Sequence, residues 1–451
     1  MAVQHAHWSS RWAFLLAAVG SAVGLGNVWK FPYEAGQGGG GAFVLIYLIF
    51  VFLIGVPVLV SELALGRWGQ RSPVNSMKRV SEEEGRARSW TLIGWLGVLG
   101  AFFVLSFYSV VGGWTFSYVF SALTGAFSGI TADESAAHFT DFIASPTLTV
   151  LWHAGFMGVT MWIVSQGVND GLERYVSFLM PALFTMLLVL VLYAALAGDF
   201  TATLAFLFEP DFTRLTTANV LEALGQSFFS LSLAMGSIMT YGSYLTYQTD
   251  LGRSAVTVAT ADSMVALLAG LAIFPIVFAN GLDPAGGPSL IFETLPIAFG
   301  AMPFGVLVAT IFFSLLGVAA ITSSISLLEP VVSYCEEQGS FSRRQATMLA
   351  GGGAFMVGIL SALSFNLMSH ITLFGMTFFD LLDFLTNNIM MPLGGLGMTL
   401  FVGWYVKRGS MIRELAMQQP WFRLWYFLVR FISPTAIALI FAWLIYDNVI
   451  A

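Results

Sequence analysis

The chain has 451 residues, of which 57% are hydrophobic and only 10% are charged, and its mean hydropathy is +0.82. A soluble domain carries about 25% charged residues, so the composition excludes a soluble protein and predicts a polytopic membrane protein. The net charge of −7 is spread over short loops and gives no sign of nucleic-acid binding. The single cysteine, Cys335, excludes an internal disulfide and a cysteine-based metal site.

Apolar runs long enough to cross a bilayer recur along the whole chain. They predict an all-α protein with eleven membrane-spanning helices, which we number spans 1 to 11. Their approximate bounds are 12–35, 41–64, 91–123, 147–165, 173–197, 218–247, 255–279, 302–334, 346–365, 373–406 and 424–447.

Basic residues are distributed unequally between the loops. They cluster between spans 2 and 3, 8 and 9, and 10 and 11, whereas only Lys30 and Arg214 of the 18 Lys and Arg residues lie on the opposite side. Basic loops stay in the cytoplasm. We therefore expect a cell inner (plasma) membrane protein embedded in the lipid bilayer, with a cytoplasmic N-terminus. Because eleven is odd, the C-terminus is expected outside.

Span 1 contains residues that disfavour a continuous helix. Gly20, Gly24 and Gly26 fall near the middle of the membrane and Asn27 follows them. Glycine weakens a helix by about 1 kcal/mol per residue relative to alanine, and Asn favours caps. We expect a break that faces protein or a water-filled cavity, with Glu62 of span 2 accepting the freed N–H groups. The alternative is a glycine face for close helix packing.

Span 6 repeats this pattern five spans later. Small and hydroxyl residues interrupt the apolar run from Ser230 to Gly236. Interrupted helices at matching positions of two halves are typical of transporters with inverted repeats and a binding site at mid-membrane. The predicted organisation is one transporter domain over 1–451, with a first repeat at 1–197, an inverted second repeat at 218–406 and an extra helix at 424–447.

The run Ala22–Tyr33 reads AVGLGNVWKFPY and is followed by GGGGAF at 38–43. It resembles the sodium-coupled neurotransmitter and amino-acid symporters with a LeuT-type fold, and the resemblance covers nearly the whole chain. It implies a secondary active transporter, not an enzyme, that couples uptake of a small molecule to sodium ions. Two sodium ions are expected. Family members often have twelve spans, so this chain resembles a member without the last one.

Span 8 carries oxygen groups at helical spacing. Ala319, Thr322 and Ser323 stand at i, i+3 and i+4 and share a face. Carbonyl and hydroxyl oxygens suit a hard cation, although Ser and Thr also bond back to their own helix. The resemblance implies a second sodium site formed by the carbonyls of Gly20, Val23 and Ala319 with the two hydroxyl side chains.

The resemblance also implies a first sodium site, formed by the Ala22 carbonyl, the Asn27 side chain and Ser230. Asp262 is the only acidic residue within span 7. A carboxylate buried in a membrane is costly unless a cation is near it. We expect Asp262 to bind sodium, which would remove the need for chloride. The alternative places Asp262 in water near the cytoplasmic end of the span.

The substrate is indicated by an absent acid. Family members that carry amines have an Asp at the position of Gly24, so the ligand here is expected to bring its own carboxylate. The resemblance implies that the N–H groups of Leu25 and Gly26, at the start of a half-helix, hold this carboxylate together with the Tyr108 hydroxyl. The alternative for Tyr108 is an interhelical hydrogen bond without a ligand.

By the same resemblance, backbone oxygens of Ala22, Phe229 and Ser232 would meet an amino group. A nearly apolar lining would surround the ligand's side chain, which predicts a neutral, hydrophobic L-amino acid. Another small zwitterion with a carboxylate remains an alternative. The expected lining residues are Val104, Phe229, Ala234, Met235, Ser323 and Leu327.

The resemblance implies gates on both sides of the site. On the outside, Lys30 is expected to pair with Asp383, Gln226 to bridge to Lys30, and Phe229 to form a lid with Tyr108. Lysine replaces the usual arginine and lacks its bidentate fork.

On the inside, Trp8, Tyr244 and the acid Glu337 match the family pattern. His5 stands where an arginine is usual, and a histidine is only partly charged near neutral pH. Either inward opening is easier here than in the family, or another basic residue replaces the arginine.

Three other classes of function compete with transport. A sodium channel needs a continuous polar pore, whereas these polar groups cluster at mid-depth beneath apolar lids. An intramembrane enzyme needs a catalytic constellation, and the sequence lacks His-Glu-x-x-His, Gly-x-Ser-x-Gly and paired-aspartate patterns. A binding or sensor protein of the same fold would not need the intact Asn27, Thr322 and Ser323.

Overall fold

The computed structural model describes residues 7–284, 289–339 and 341–449, and His5 lies outside them. Regular structure in the described residues is helical apart from one isolated bridge between Leu373 and Met376. We call the end of the bundle that carries Lys30 and Asp383 the outer end, and the end that carries Trp8 the inner end, after the predicted orientation.

The spans form where the apolar runs predict them. Span 1 is divided into Arg11–Ala22 and Gly26–Gln37, which are bent by 48° at the break. Span 6 is divided into Thr217–Ser230 and Ser237–Ser243. The other spans are Gly41–Gly69, Arg88–Leu123, Pro146–Ser165, Val168–Ala197, Leu251–Ala279, Gly305–Glu337, Arg343–Leu363, Phe378–Tyr405 and Gln419–Trp443, the last continuing as helix to Val449.

Short helices join the spans, and two of them, Pro73–Glu83 and Leu295–Ala301, pack against the core with buried residues. Eight helices of the described residues are long and apolar enough to cross a membrane, or up to ten when each bent pair counts as one span. The two halves of span 6, with 14 and 7 residues, are each too short to cross alone, so the count is compatible with eleven spans. The connecting helices are Pro73–Glu83, Ala132–Ala144, Phe200–Phe208, Leu295–Ala301 and Arg408–Leu415.

The break in span 1 has a local cause and a tertiary one. Val23 turns to extended geometry (φ −72°, ψ 106°) and ends the first helix. The Gly24 N–H then donates to Asn27 Oδ1 at 3.1 Å, so the Asn27 side chain satisfies a backbone group that the break leaves without a helical partner. A Cβ on Gly24 would lie 2.4 Å from Ser323 Oγ. Glycine is therefore required here by close approach as well as by its low helix propensity.

The break in span 6 uses left-handed backbone geometry. Ser232, Ala234 and Gly236 have φ of 52°, 60° and 72°, and such geometry costs about 1–2 kcal/mol for a residue with a side chain. Contacts from other spans stabilise it. Glu62 Oε2 accepts the Ala234 N–H at 3.2 Å, and the Ser232 hydroxyl donates to the Ser21 carbonyl of span 1 at 2.8 Å. The expectation that Glu62 serves the break in span 1 is thus wrong, because the N–H group it binds comes from the break in span 6.

Candidate cation and substrate site

One polar cluster joins spans 1, 2, 6 and 7 in the interior. Asn27 Nδ2 donates to Asp262 Oδ1 at 2.7 Å and lies 3.1 Å from Ser230 Oγ. The Ser230 hydroxyl donates to Asp262 Oδ2 at 2.6 Å, and the Tyr47 hydroxyl lies 3.2 Å from the same oxygen. All four side chains are buried. The alternative that water solvates Asp262 is therefore wrong.

This cluster brings a carboxylate together with amide and hydroxyl oxygens. No lysine, arginine or histidine among the described residues forms an ion pair with Asp262. A buried carboxylate needs a cation or a proton to offset the cost of leaving water. The donor atoms are the hard oxygen type that alkali and alkaline-earth cations select, so the residues present fit a sodium ion.

A second cluster joins span 8 to the end of the first half of span 1. Ser323 Oγ lies 3.3 Å from the Val23 carbonyl oxygen and 3.5 Å from that of Gly20. Thr322 Oγ1 instead donates to the Ala319 carbonyl at 3.0 Å, within its own helix. The five predicted groups are therefore close together. The predicted alternative of bonding back to the helix holds for Thr322, whereas the Ser323 hydroxyl reaches carbonyls of span 1.

Between the clusters lies the start of the second half of span 1. The Leu25 N–H donates to Tyr108 Oη at 3.3 Å, and a Cβ on Gly24 would lie 3.1 Å from the same oxygen. Phe229 covers Gly26, whose added Cβ would lie 3.0 Å from its ring. A backbone N–H group and a hydroxyl thus lie together beside the two oxygen-rich clusters. This arrangement can bind a carboxylate.

A cavity of about 570 Å³, which we call the outer cavity, lies next to the Leu25–Tyr108 contact on the side of the outer end. Leu25, Tyr108 and Phe229 form part of its lining, together with aromatic residues of spans 1, 3 and 10. Of the six residues predicted to line the ligand's side chain, all of which the structure describes, Phe229 lines this cavity, whereas the other five, Ser323 and the four named next, are buried in the bundle and do not. The four are Val104, Ala234, Met235 and Leu327.

The predicted outer pair is not formed. Lys30 Nζ lies 3.5 Å from Glu34 Oε1, one helical turn away, and not on Asp383. Gln226 Nε2 donates to the Gly26 carbonyl at 2.7 Å and does not bridge to Lys30. Lys30 and Gln226 thus both bind partners on span 1, and Lys30 and Asp383 both line the outer cavity.

The inner end is closed by aromatic and charged groups. The Trp8 indole N–H donates to the Tyr241 carbonyl at 3.0 Å, and its ring meets Tyr241 and Tyr244 edge-on. The Tyr244 hydroxyl donates to Glu329 Oε1 at 2.6 Å. Arg343 binds the same carboxylate, with Nη1 3.0 Å from Oε1.

Glu337 does not act as the acid of this closure. Its carboxylate accepts the Ser72 N–H at 2.6 Å, the Ser72 hydroxyl at 2.5 Å and Asn75 Nδ2 at 2.6 Å. It therefore caps the N-terminus of the helix Pro73–Glu83, where a negative charge is favourable. The expected inner pairing of Glu337 is replaced by Glu329, two helical turns earlier in span 8.

Sequence reasoning missed four residues at these places: Tyr47, Glu329, Arg343 and Glu173. Glu173 Oε2 accepts the Ser9 N–H at 3.2 Å and Asn169 Nδ2 at 3.1 Å, which ties the start of span 1 to the start of span 5. A buried acid in span 8 was a readable signal for Glu329. Tyr47 offered none, because a lone hydroxyl in an apolar span has many possible partners.

Comparison with known proteins decides the family. A profile of the sodium:neurotransmitter symporter family matches residues 5–139 and 143–449. The chain belongs to this family. The symporter is 39% identical over 438 residues to the sodium-dependent transporter YhdH of Bacillus subtilis (strain 168), with 96% of each chain covered. It is 35% identical over 450 residues to a sodium-dependent transporter of Haemophilus influenzae, with 97% and 98% covered.

A solved structure supports the same conclusion. The crystal structure of MhsT in complex with L-phenylalanine matches the symporter with a TM-score of 0.90 and 42% identity, over 97% of this chain and 99% of that one. The predicted LeuT-type fold with inverted repeats is confirmed. The symporter is a multi-pass membrane transporter that depends on sodium, and it is not an enzyme.

Proposed function

We propose that the symporter imports a neutral, hydrophobic L-amino acid together with two sodium ions and without chloride. One observation carries the proposal. The buried Asn27–Ser230–Asp262 cluster adjoins the Leu25 N–H and the Tyr108 hydroxyl, so a cation and a carboxylate can be bound side by side.

In this proposal the first sodium ion binds at Asp262, Ser230, Asn27 and the Ala22 carbonyl. The Asp262 carboxylate supplies the negative charge that an external chloride would otherwise provide. The second ion binds at the carbonyls of span 1 and the span 8 hydroxyls. Its list of ligands is Gly20, Val23, Ala319, Thr322 and Ser323.

The substrate carboxylate would accept from the Leu25 and Gly26 N–H groups and from Tyr108, which opens the present Leu25–Tyr108 bond. The absence of a side chain at Gly24 supports an amino acid over a simple amine. The relative MhsT was crystallised with L-phenylalanine, which supports a hydrophobic side chain. Val104, Phe229, Ala234, Met235, Leu327 and Ser323 would surround it, and oxygens of Ala22, Phe229 and Ser232 would bind the amino group.

Alternating access would then move both halves about this fixed site. The repeats 1–197 and 218–406 would rock relative to each other, with 424–447 as an added helix. With the N-terminus in the cytoplasm and the C-terminus outside, sodium enters along its gradient. Each charge gains about 2.3 kcal/mol per 100 mV of membrane potential.

A substrate panel on purified protein in liposomes tests the proposal. Binding and uptake of the common L-amino acids are measured with external sodium or potassium, and with chloride replaced by gluconate. We expect sodium-dependent, chloride-independent uptake of hydrophobic amino acids. Equal binding in potassium would refute the sodium sites, and preference for an amine without a carboxylate would refute the substrate class.

The Asp262→Asn variant tests the role of the buried Asn27–Ser230–Asp262 cluster, on which the proposal rests. We expect its sodium affinity to fall by about a hundredfold, equivalent to about 2.7 kcal/mol, because the charge that compensates the ion is lost. Asp141→Asn, at an exposed outer position, is the matched control and keeps wild-type uptake.

A further inference from the structure

Lys30 stands between two cavities of the outer end. The outer cavity of about 570 Å³ is lined by Asp383, whereas a side cavity of about 320 Å³ is lined by Glu34 and Glu222. Lys30 and Phe229 line both cavities. Together with Asn387, which also lines both cavities, they form the partition, and carboxylates line the cavity on each side of it.

The Lys30 ammonium contacts Glu34, a carboxylate of the side cavity. Its Nζ lies 3.5 Å from Glu34 Oε1 and 4.9 Å from the centre of the Phe229 ring. Asp383 is bound instead by its own helix, with Oδ1 accepting from Asn387 Nδ2 at 2.6 Å. The two carboxylates therefore compete for one cation, and in this structure Glu34 binds it.

The environment of Glu34 favours this contact over release of the ammonium. The Glu34 side chain is 8% exposed against 25% for Lys30, and Glu34 Oε2 has no hydrogen-bond partner among the described residues. Moving the ammonium away would leave a buried carboxylate unpaired, which is unfavourable. Lysine is a single point charge on a flexible stem, so it can change partners by rotation of its side chain.

We propose that Glu34 is a positioning residue of the outer gate, which holds Lys30 in the side cavity and so keeps the outer cavity open. Closure transfers the ammonium from Glu34 to Asp383. Phe229 lies beneath the ammonium by a cation–π contact and above Gly26, so the same movement carries the lid toward the site. Glu34 thereby sets how much binding free energy closure requires.

The test measures opening of the outer cavity directly. Cys335 is replaced by Ser and Val111, which lines the outer cavity, by Cys. The alkylation rate of this cysteine by a membrane-impermeant maleimide is then followed in sodium without substrate. Because no substrate is used, the outcome is independent of the proposed amino-acid specificity.

We expect Glu34→Gln to lower the rate about fivefold, equivalent to about 1 kcal/mol in favour of the closed form. Asp383→Asn in the same chain restores the original rate, because the competing partner is removed as well. Glu222→Gln, at an exposed position on the side cavity, is the control and leaves the rate unchanged. A merely structural role for Glu34 would not be reversed by a change at Asp383.

A second variant covers the case in which Glu34→Gln does not fold. Asp383→Glu lengthens the competing carboxylate by one methylene and is expected to lower the rate with Glu34 in place. The proposal is overturned if Glu34→Gln leaves the rate unchanged or raises it, if Asp383→Asn does not reverse its effect, or if Asp383→Glu does not lower the rate.

Discussion

The inner and outer ends of the symporter are built differently. At the inner end, Arg343 binds the buried Glu329 carboxylate and also Glu336, with 2.9 Å to the latter. Tyr244 adds a third bond to Glu329. At the outer end, a single lysine contacts a single carboxylate at 3.5 Å beside an open cavity.

The difference indicates which step needs the larger input of free energy. Removing one partner from a buried charge pair costs about 3–5 kcal/mol, whereas a pair near solvent contributes about 0–1 kcal/mol. The inner contacts therefore keep the inner end closed in this structure, while a cavity lies at the outer end. In the alternating access proposed above, ligand binding would close the weakly held outer end before the strongly held inner end opens.

The largest expected effect follows from removing the inner cation. In Arg343→Gln, Glu329 remains buried without its partner, so the outward-open form should lose about 3–5 kcal/mol relative to inward-open forms. The native Cys335, partly buried near this end, should react faster with a thiol reagent. Arg344→Gln, at the adjacent exposed position, serves as control. Equal rates in the two variants would contradict the assigned closure.

A smaller effect is expected at Glu337. The Glu337→Gln variant weakens the hydrogen bonds to Ser72 and Asn75, and a bond to a charged group contributes about 1.5–3 kcal/mol. Hydrogen exchange in the helix Pro73–Glu83 should speed up while Cys335 labelling changes little, since Glu337 caps a helix and does not close the inner end. Glu82→Gln, exposed on the same helix, should leave exchange unchanged. Faster Cys335 labelling than in Arg343→Gln would restore Glu337 as the gate acid.

The tie between spans 1 and 5 should contribute less again. In Glu173→Gln the bond from the Ser9 N–H weakens by about 1 kcal/mol, because this contact is exposed to solvent. Cys335 labelling is expected to rise a few-fold, and Asp170→Asn, at an exposed position three residues away, should not change it. No rise in Glu173→Gln would mean that this tie does not restrain the inner end.

The smallest expected effect is the different response of the outer and inner contacts to ionic strength. Raising choline chloride at constant sodium shortens the Debye length from about 10 Å at 0.1 M to about 3 Å at 1 M. The partly exposed Lys30 contact should weaken, so the alkylation rate of the Val111→Cys reporter shifts by less than about fivefold. Cys335 labelling should not respond, since Glu329 is fully buried. A larger salt effect at the inner end than at the outer end would invert the comparison.

The sequence alone determined the class of protein, the positions of the spans and the two breaks. Apolar length fixes a span, because a helix must cross about 30 Å of hydrocarbon. Glycines and an Asn in an apolar helix identify a break, because propensity is local. The resemblance predicted that Asn27 and Ser230 lie together, the lone acid of span 7 added Asp262, and the structure brings these three side chains into contact.

Only the tertiary structure decided which charged groups meet. Lys30 lines two neighbouring cavities, with Glu34 in one and Asp383 in the other. Glu329 and Glu337 lie two turns apart on span 8. In each case the sequence offers two carboxylates that could pair with the same basic group. The choice depends on helix rotation and on which conformation the gates adopt. These are settled by packing over the whole bundle, because ion pairing is a property of distance and burial that no local pattern encodes.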